Sequence, residues 1–308
     1  MTTTMVYERK HSADASNTQN STVECSRRNR HIEIRSRLAP QIYLGYIATP
    51  RTGPRLSNAT EMVVKCAGEL QQDGASGRFK GPWNEWQAAR QLRSIGRSHP
   101  NVVRVFDTFV QHLQVFIVME HCARGDLLTD LIRTHSENHM DERHALRVVL
   151  HVARGLDFLH ETCNMAHRDV SLENVFVTHD GMYKLGDFGL STKANTKTSD
   201  FVGKAQYMAP EVAAQLSYSP VVADVWSLGI LLFMLLTGAP LLELASPTRQ
   251  EFETVRAMSC CGVLKSWGMD SQLSAATMDL LSKMLEFDPT KRLQSMAQVL
   301  NHSALRGL

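Results

Sequence analysis

His167 to Asn174 reads HRDVSLEN, which sets Asp169, a carboxylate able to accept a proton, five positions before Asn174, an amide able to ligate a metal. Thirteen residues after Asn174 comes Asp187-Phe188-Gly189, in which Asp187 is a second hard-oxygen ligand. In-line phosphoryl transfer asks a protein for an oriented hydroxyl and a held divalent ion, and these three side chains supply the groups for both. Charge spreading onto the equatorial oxygens of a phosphoryl group needs positive ions nearby, and carboxylate and amide oxygens suit magnesium. Taken singly, Asp169 or Asp187 reads as a helix cap or a turn residue. That reading does not explain the ordered set.

The order continues with Ala209-Pro210-Glu211 and Asp224-Val225-Trp226-Ser227, and together these segments resemble the eukaryotic protein kinase family, over residues from about 40 to about 305. The resemblance implies an α+β, bilobal fold: a small antiparallel β-sheet lobe with one main helix, and a larger, mainly helical lobe. It also implies ATP and Mg2+ as cofactors and a protein substrate, with Asp169 accepting or orienting the hydroxyl proton and Asn174 and Asp187 holding the metal. Lys65, in Met62-Val63-Val64-Lys65, resembles the strand lysine that contacts the α- and β-phosphates and pairs with a helix glutamate. Glu85, 20 residues on, is the preferred partner; counting back from His99-Pro100-Asn101 points instead to Arg90 or Ala88, unless Ser94 to Ser98 holds a small insertion. By the same resemblance Met119 is the gatekeeper and the backbone of Glu120 and Cys122 meets adenine. Asp126 matches a position that touches ribose or a basic substrate residue, with an exposed helix cap as the equal alternative. Glu211 and Arg292 match a buried ion pair, and Asp224 the residue that holds the backbone of the catalytic loop.

Three departures carry expectations of their own. The phosphate-covering loop is read at residues 43 to 52, YLGYIATPRT, where only Gly45 is a glycine, Ala48 replaces another, and Tyr46, Ile47 and Pro50 make a bulkier, stiffer cover. Weaker or altered nucleotide binding follows. Ser171 stands two residues after Asp169, where serine/threonine relatives carry a lysine, while Lys204 stands where they usually have a threonine. A swap is expected, in which Lys204 neutralises phosphate charge and Ser171 makes room for it; the alternative is a solvent-facing lysine. Asp200, three residues before Gly203, takes the place of a phosphorylated residue and is expected to pair with Arg168, the alternative being a plain surface carboxylate. Ser199, Thr198 and Thr196 are secondary phosphorylation candidates. The Tyr207-Met208-Ala209-Pro210-Glu211 segment resembles serine/threonine enzymes, and no AAR or RAA follows Asp169. ATP-dependent phosphorylation of protein serine or threonine is the resulting expectation. The competing one is an impaired kinase fold acting as a binding scaffold.

These side chains need rigid supports, and the rest of the chain supplies the patterns. β-favouring runs at Ile42 to Ile47, Glu61 to Ala67, Val102 to Phe109 and Val115 to Glu120 suggest a small antiparallel sheet. Glu85, Ala88, Ala89, Leu92 and Ile95 recur at helical spacing between the second and third runs. A stripe of Leu146, Val149, Leu150, Ala153, Leu156 and Leu159 precedes the catalytic segment. The domain is read as residues 39–306, with 39–122 forming the sheet lobe and connector and 123–306 the helical lobe. Residues 1–38, polar and with five arginines between Arg27 and Arg37, are read as a disordered tail.

Composition narrows the class. In 308 residues, 43% are hydrophobic, enough for a sizeable core, and 33 basic against 31 acidic residues leave a formal charge of +2. Nothing in that balance points to nucleic acid or an anionic membrane. The six cysteines form no CxxC pair, which fits a reducing cytosolic compartment or the nucleus. The longest apolar run, Val225 to Leu236, falls short of a bilayer span and reads as a buried helix, and the polar amino terminus argues against export.

Overall fold

Alternation of side chains along Glu61–Glu69 explains the sheet that carries Lys65. Met62 and Val64 are buried with Phe109 and Val118, so the two-residue period sends Val63 and Lys65 to the opposite face. This strand is β4 of a computed structural model that describes residues 22–25, 30–48, 61–72, 79–80, 82–136 and 138–308. Its companions are β1 (Thr22–Cys25), β2 (Arg30–Ala39), β3 (Ile42–Ala48), β5 (Val105–Gln111) and β6 (Gln114–Glu120). All neighbours are antiparallel, in the order β1-β2-β3-β4-β6-β5.

Two of these strands fall within the stretch read as a tail. Backbone pairing between β1, β2 and β3 needs no apolar composition, and β2 places Ile32 and Ile34 among charged residues with a strand period. The sheet therefore begins before residue 39. The other residues of that stretch lie outside the described ones.

Helix α1 (Trp83–Ser94) joins the two lobes. Ala89 packs with Leu70, Val115 and Ile117 under the sheet, whereas Ala88 and Leu92 belong to the large core that includes Val102 and the helical lobe. Arg93 adds a 2.9 Å salt bridge to Asp107 on β5.

Five longer helices build the second lobe: α2 (Leu127–Thr134), α3 (Glu142–Asp157), α4 (Pro220–Thr237), α5 (Gln250–Ser266) and α6 (Ala275–Met284). Asp126, Asp141 and Ser274 cap α2, α3 and α6 by accepting from the backbone N–H groups of Thr129, His144 and Thr277. The predicted stripe from Leu146 to Leu159 is buried throughout. Helix α4 opens with Pro220 at its start and closes at Gly238, whose φ of 72° the left-handed stop requires. At 18 residues α4 is long and apolar enough to cross a membrane, longer than the predicted run because the turn Pro220–Asp224 extends it. It is 83% buried inside the domain, as a core helix. A hairpin of β7 (Val175–Val177) and β8 (Tyr183–Leu185) lies between the catalytic loop and Asp187. Backbone bonds from Leu185 to Asn101 and from Val103 to Leu185 fix it against the segment that follows α1.

Candidate active site

The catalytic loop is held from beneath by Asp224 of α4, which is fully buried and accepts from the backbone N–H of both His167 and Arg168 at 2.8 Å. His160 contributes a third contact to the same carboxylate, at 2.8 Å. Arg168 has φ 63° and Asp187 φ 60°, left-handed values that cost a non-glycine residue about 1–3 kcal/mol, and both flank the chemistry. His167 is buried: Nδ1 accepts from Asp169 N, so Nε2 carries the proton it donates to Gly186 O at 3.0 Å. Asn174 Nδ2 donates to Asp169 Oδ2 and to Asp169 O, both at 2.8 Å, and Asn174 O accepts from Gly186 N at 2.9 Å. One network thus ties Asp169 and Asn174 to the backbone just before Asp187. Asp169 Oδ1 is buried and has no hydrogen-bond partner among the described residues.

Lys65 closes the site from the sheet side. Its Nζ lies 2.7 Å from Glu85 Oε1 and 3.2 Å from Asp187 Oδ2, linking β4, α1 and the segment after β8. Burial works against the Lys65 charge, but the two carboxylates outweigh it and hold its pKa above the ordinary lysine value. Burial likewise works to raise Asp187, and Lys65 with the Gly189 N–H outweighs it, holding that carboxyl below the usual range. Burial pushes the Glu85 carboxyl up against the pull of Lys65, whose Nζ lies 2.7 Å away. Glu85, and neither Arg90 nor Ala88, therefore occupies the partner position.

The phosphate-covering loop requires a correction. Gly45 and Ala48 lie within β3, where Gly45 pairs with Ile34 on one side and Met62 on the other, and Ala48 pairs with His31. Ile42, at the start of β3, is the residue paired with Lys65, so the turn before β3 lies at the Lys65 end of this strand pair, with Gln41 O accepting from Cys66 N at 2.8 Å. That turn is Pro40-Gln41, between Ala39 and Ile42, and contains no glycine. Residues 49–52 of the predicted loop lie outside the described ones. At the connector, Met119 on β6 pairs with Val63 and Val105, Glu120 N donates to Arg104 O, and Glu120 bridges to Lys184 at 2.9 Å. Cys122 is buried, and burial with the Glu120 charge pushes its thiol up to about 12. Asp126 caps α2 with both oxygens, Oδ1 to Thr129 N and Oδ2 to the Thr129 hydroxyl, which is the capping alternative.

On the activation segment, Lys204 Nζ is 2.6 Å from Ser171 Oγ and 3.4 Å from Glu173 Oε1, so it faces the loop and not solvent alone. Arg168 Nη1 lies 2.6 Å from Asp200 Oδ2. Glu211 and Arg292 form a buried two-pronged pair at 2.6 and 2.9 Å.

A family model described as protein kinase domain matches residues 45–305. The chain belongs to the protein kinase family. Relatives of this kinase include the serine/threonine-protein kinase CHK1 of Saccharomyces cerevisiae, 34% identical over 222 residues, which is 70% of this chain and 41% of the yeast protein. The SNF-related serine/threonine-protein kinase of Homo sapiens is 32% identical over 268 residues, 86% of this chain and 32% of that protein. Aurora kinase C of Mus musculus is 29% identical over 209 residues, 68% of this chain and 71% of its own. The kinase thus spans about two fifths of the yeast protein and a third of the human one.

Membership implies a nucleoside triphosphate and a divalent metal in general, and the donors present fit a hard ion. Asn174 commits its Nδ2 to Asp169, which leaves Oδ1 as the acceptor a cation would use, and Asp187 is a carboxylate. Among the described residues no group of three or more His, Cys, Asp or Glu forms a closed metal site. Two protein ligands completed by phosphate oxygens and water are what such an ion takes. Sequence reasoning passed over His160 and Glu173, and named Tyr207 only within its segment, without the contact in which its hydroxyl accepts from Leu172 N. Glu173 was visible within HRDVSLEN; His160 had no local signal.

Proposed function

We propose that this kinase domain transfers the γ-phosphoryl group of ATP to serine and threonine hydroxyls of protein substrates, with magnesium as the metal. The observation that carries the reading is Asp169: one oxygen is fixed by Asn174, and the other is buried and unpartnered beside a completed Lys65–Glu85–Asp187 bridge. An acceptor of that kind suits an incoming hydroxyl. The hydroxyl oxygen forms a bond to the γ-phosphorus, its proton goes to Asp169, and the bond to the β,γ-bridging oxygen breaks with the electron pair leaving on ADP. Lys65, held by Glu85, places the α- and β-phosphates. Asn174 and Asp187 would hold magnesium, which when bound neutralises charge on the phosphate oxygens.

The choice of serine and threonine is supported by the Tyr207-to-Glu211 segment and by relatives named as serine/threonine-protein kinases. Phosphoamino-acid analysis of a generic basic protein labelled from γ-labelled ATP tests it. Label on serine and threonine is expected. Label confined to tyrosine would overturn the acceptor class, and no label at all would leave the scaffold reading standing.

A further inference from the structure

We infer that Lys204, carried by the activation segment, is the cation that touches the transferring phosphoryl group, an inference that rests on the phosphotransfer reading above. Its Nζ sits 2.6 Å from Ser171 Oγ, and Ser171 is fully buried two residues beyond Asp169. Lys204 and Asp169 line one small pocket between the catalytic loop and the activation segment, together with Arg168 and Gly203. The short serine side chain is what lets an ammonium from another segment approach the loop this closely.

The neighbouring cations hold closer carboxylate contacts. Arg168 is held by Asp200 at 2.6 Å and by Leu190 O at 2.7 Å, Lys65 by two carboxylates at 2.7 and 3.2 Å, and Lys184 by Glu120 at 2.9 Å. Lys204 has the loosest carboxylate contact of the four, 3.4 Å to Glu173. An ammonium has three N–H donors; Ser171 and Glu173 engage two, which leaves one for a phosphate oxygen. During transfer Lys204 donates that hydrogen bond to a non-bridging γ-oxygen while the hydroxyl–phosphorus bond forms and the bridging bond breaks. No proton leaves the lysine.

The source of this cation has a consequence for control. Gly203, at φ 101°, lies so close to the catalytic loop that a Cβ there would stand 2.8 Å from Arg168 O. Lys204 is thus delivered only when the segment is seated on the loop. Neutralisation of the phosphate becomes conditional on the order of the activation segment, because the loop itself carries serine at that point.

Steady-state kinetics on the full chain test this with Lys204→Ala, Lys204→Arg and the double variant Ser171→Lys/Lys204→Thr, beside Asp169→Asn. Lys204→Ala is expected to lower kcat about 100-fold or more with KM for ATP changed by less than about threefold, as for loss of a group that acts on the transition state. Lys204→Arg should keep part of the lost rate. The double variant, which moves the cation onto the loop, should regain at least about tenfold over Lys204→Ala. Turnover of Lys204→Ala within about twofold of wild type, with Asp169→Asn inactive, would overturn this inference alone. A low rate that neither Lys204→Arg nor the double variant relieves, with a lowered melting temperature, would overturn it in favour of a structural tether. Inactive wild type would take down the parent reading and this one together.

Discussion

At the scale of single residues, Asp200 shows how a side chain far along the chain is brought to the site and what it does there. Its Oδ2 pairs with Arg168 at 2.6 Å, its backbone N–H donates to the Thr198 hydroxyl, and its carbonyl accepts from the Tyr218 hydroxyl at 3.0 Å. A built-in carboxylate thus meets the arginine beside Asp169 and supplies there the kind of charge a phosphate would add. We predict that protein free of phosphate on the activation segment turns over, and that Asp200→Ala loses about tenfold in kcat with Asp200→Glu intermediate. Abolished turnover restored only by an upstream kinase would contradict this. The Arg168 and Thr198 hydrogen bonds hold the Asp200 carboxyl below its ordinary value of 3.8. A depressed carboxylate stabilises the fold above its unfolded pKa and ceases to as pH falls through the folded one. The difference in melting temperature between wild type and Asp200→Asn should therefore stay level from about pH 8 to 5 and narrow below about pH 4. Asp169, Asn174 and Asp187 were legible because their spacing is itself the signal. His160 was not, since it sits at the end of an apolar helical stripe and meets Asp224 only through folding, 64 residues away.

At the scale of elements, the legible features were those with strong periodicity. Helix α1 follows the predicted face, and the two-residue alternation of β4 settles which way Lys65 points. Strand β2 was missed because charge outweighed its Ile32–Ile34 alternation in a reading by composition. The position of the turn was not legible for a related reason: the one glycine, Gly45, lies within β3, while the pairing of Ile42 with Lys65 sets the turn at Pro40-Gln41. Without glycine, and with Pro40 lacking an N–H, this turn offers less backbone donation at close approach. We predict a dissociation constant for magnesium-ATP by calorimetry in the tens of micromolar or weaker, about −6 kcal/mol. Micromolar or tighter binding would contradict the account of the turn.

At the scale of the whole molecule, the helical lobe is a rigid base for a loop that must not move, and Arg292 is one of its fastenings. The guanidinium is 1% exposed, grips Glu211 with two bonds, donates to Val222 O and Glu286 O, and lies 5.0 Å from the Trp226 ring centre. Every charge in that cluster is satisfied, so removing one partner leaves the other buried alone. Arg292→Ala should cost about 3–5 kcal/mol and lower the melting temperature by roughly 10 °C, whereas replacing both partners, Glu211→Gln with Arg292→Met, should cost less. An unchanged melting temperature in Arg292→Ala would show that the pair does not fasten the lobe. The fold class was legible because the shift from strand to helical patterning near residue 123 coincides with the connector. The start of the sheet was not, because backbone pairing leaves little mark on composition.

The proposed function has Asp169, Asn174 and Asp187 act on one metal-bound nucleotide, and phosphotransfer to a generic basic protein measured side by side for wild type, Asp169→Asn and Asp187→Ala tests it most directly. Wild type is expected to label the substrate, and each variant to fall by about 1,000-fold or more while keeping a melting temperature near wild type. Equal labelling by wild type and either variant would contradict the assignment of these carboxylates to the chemistry.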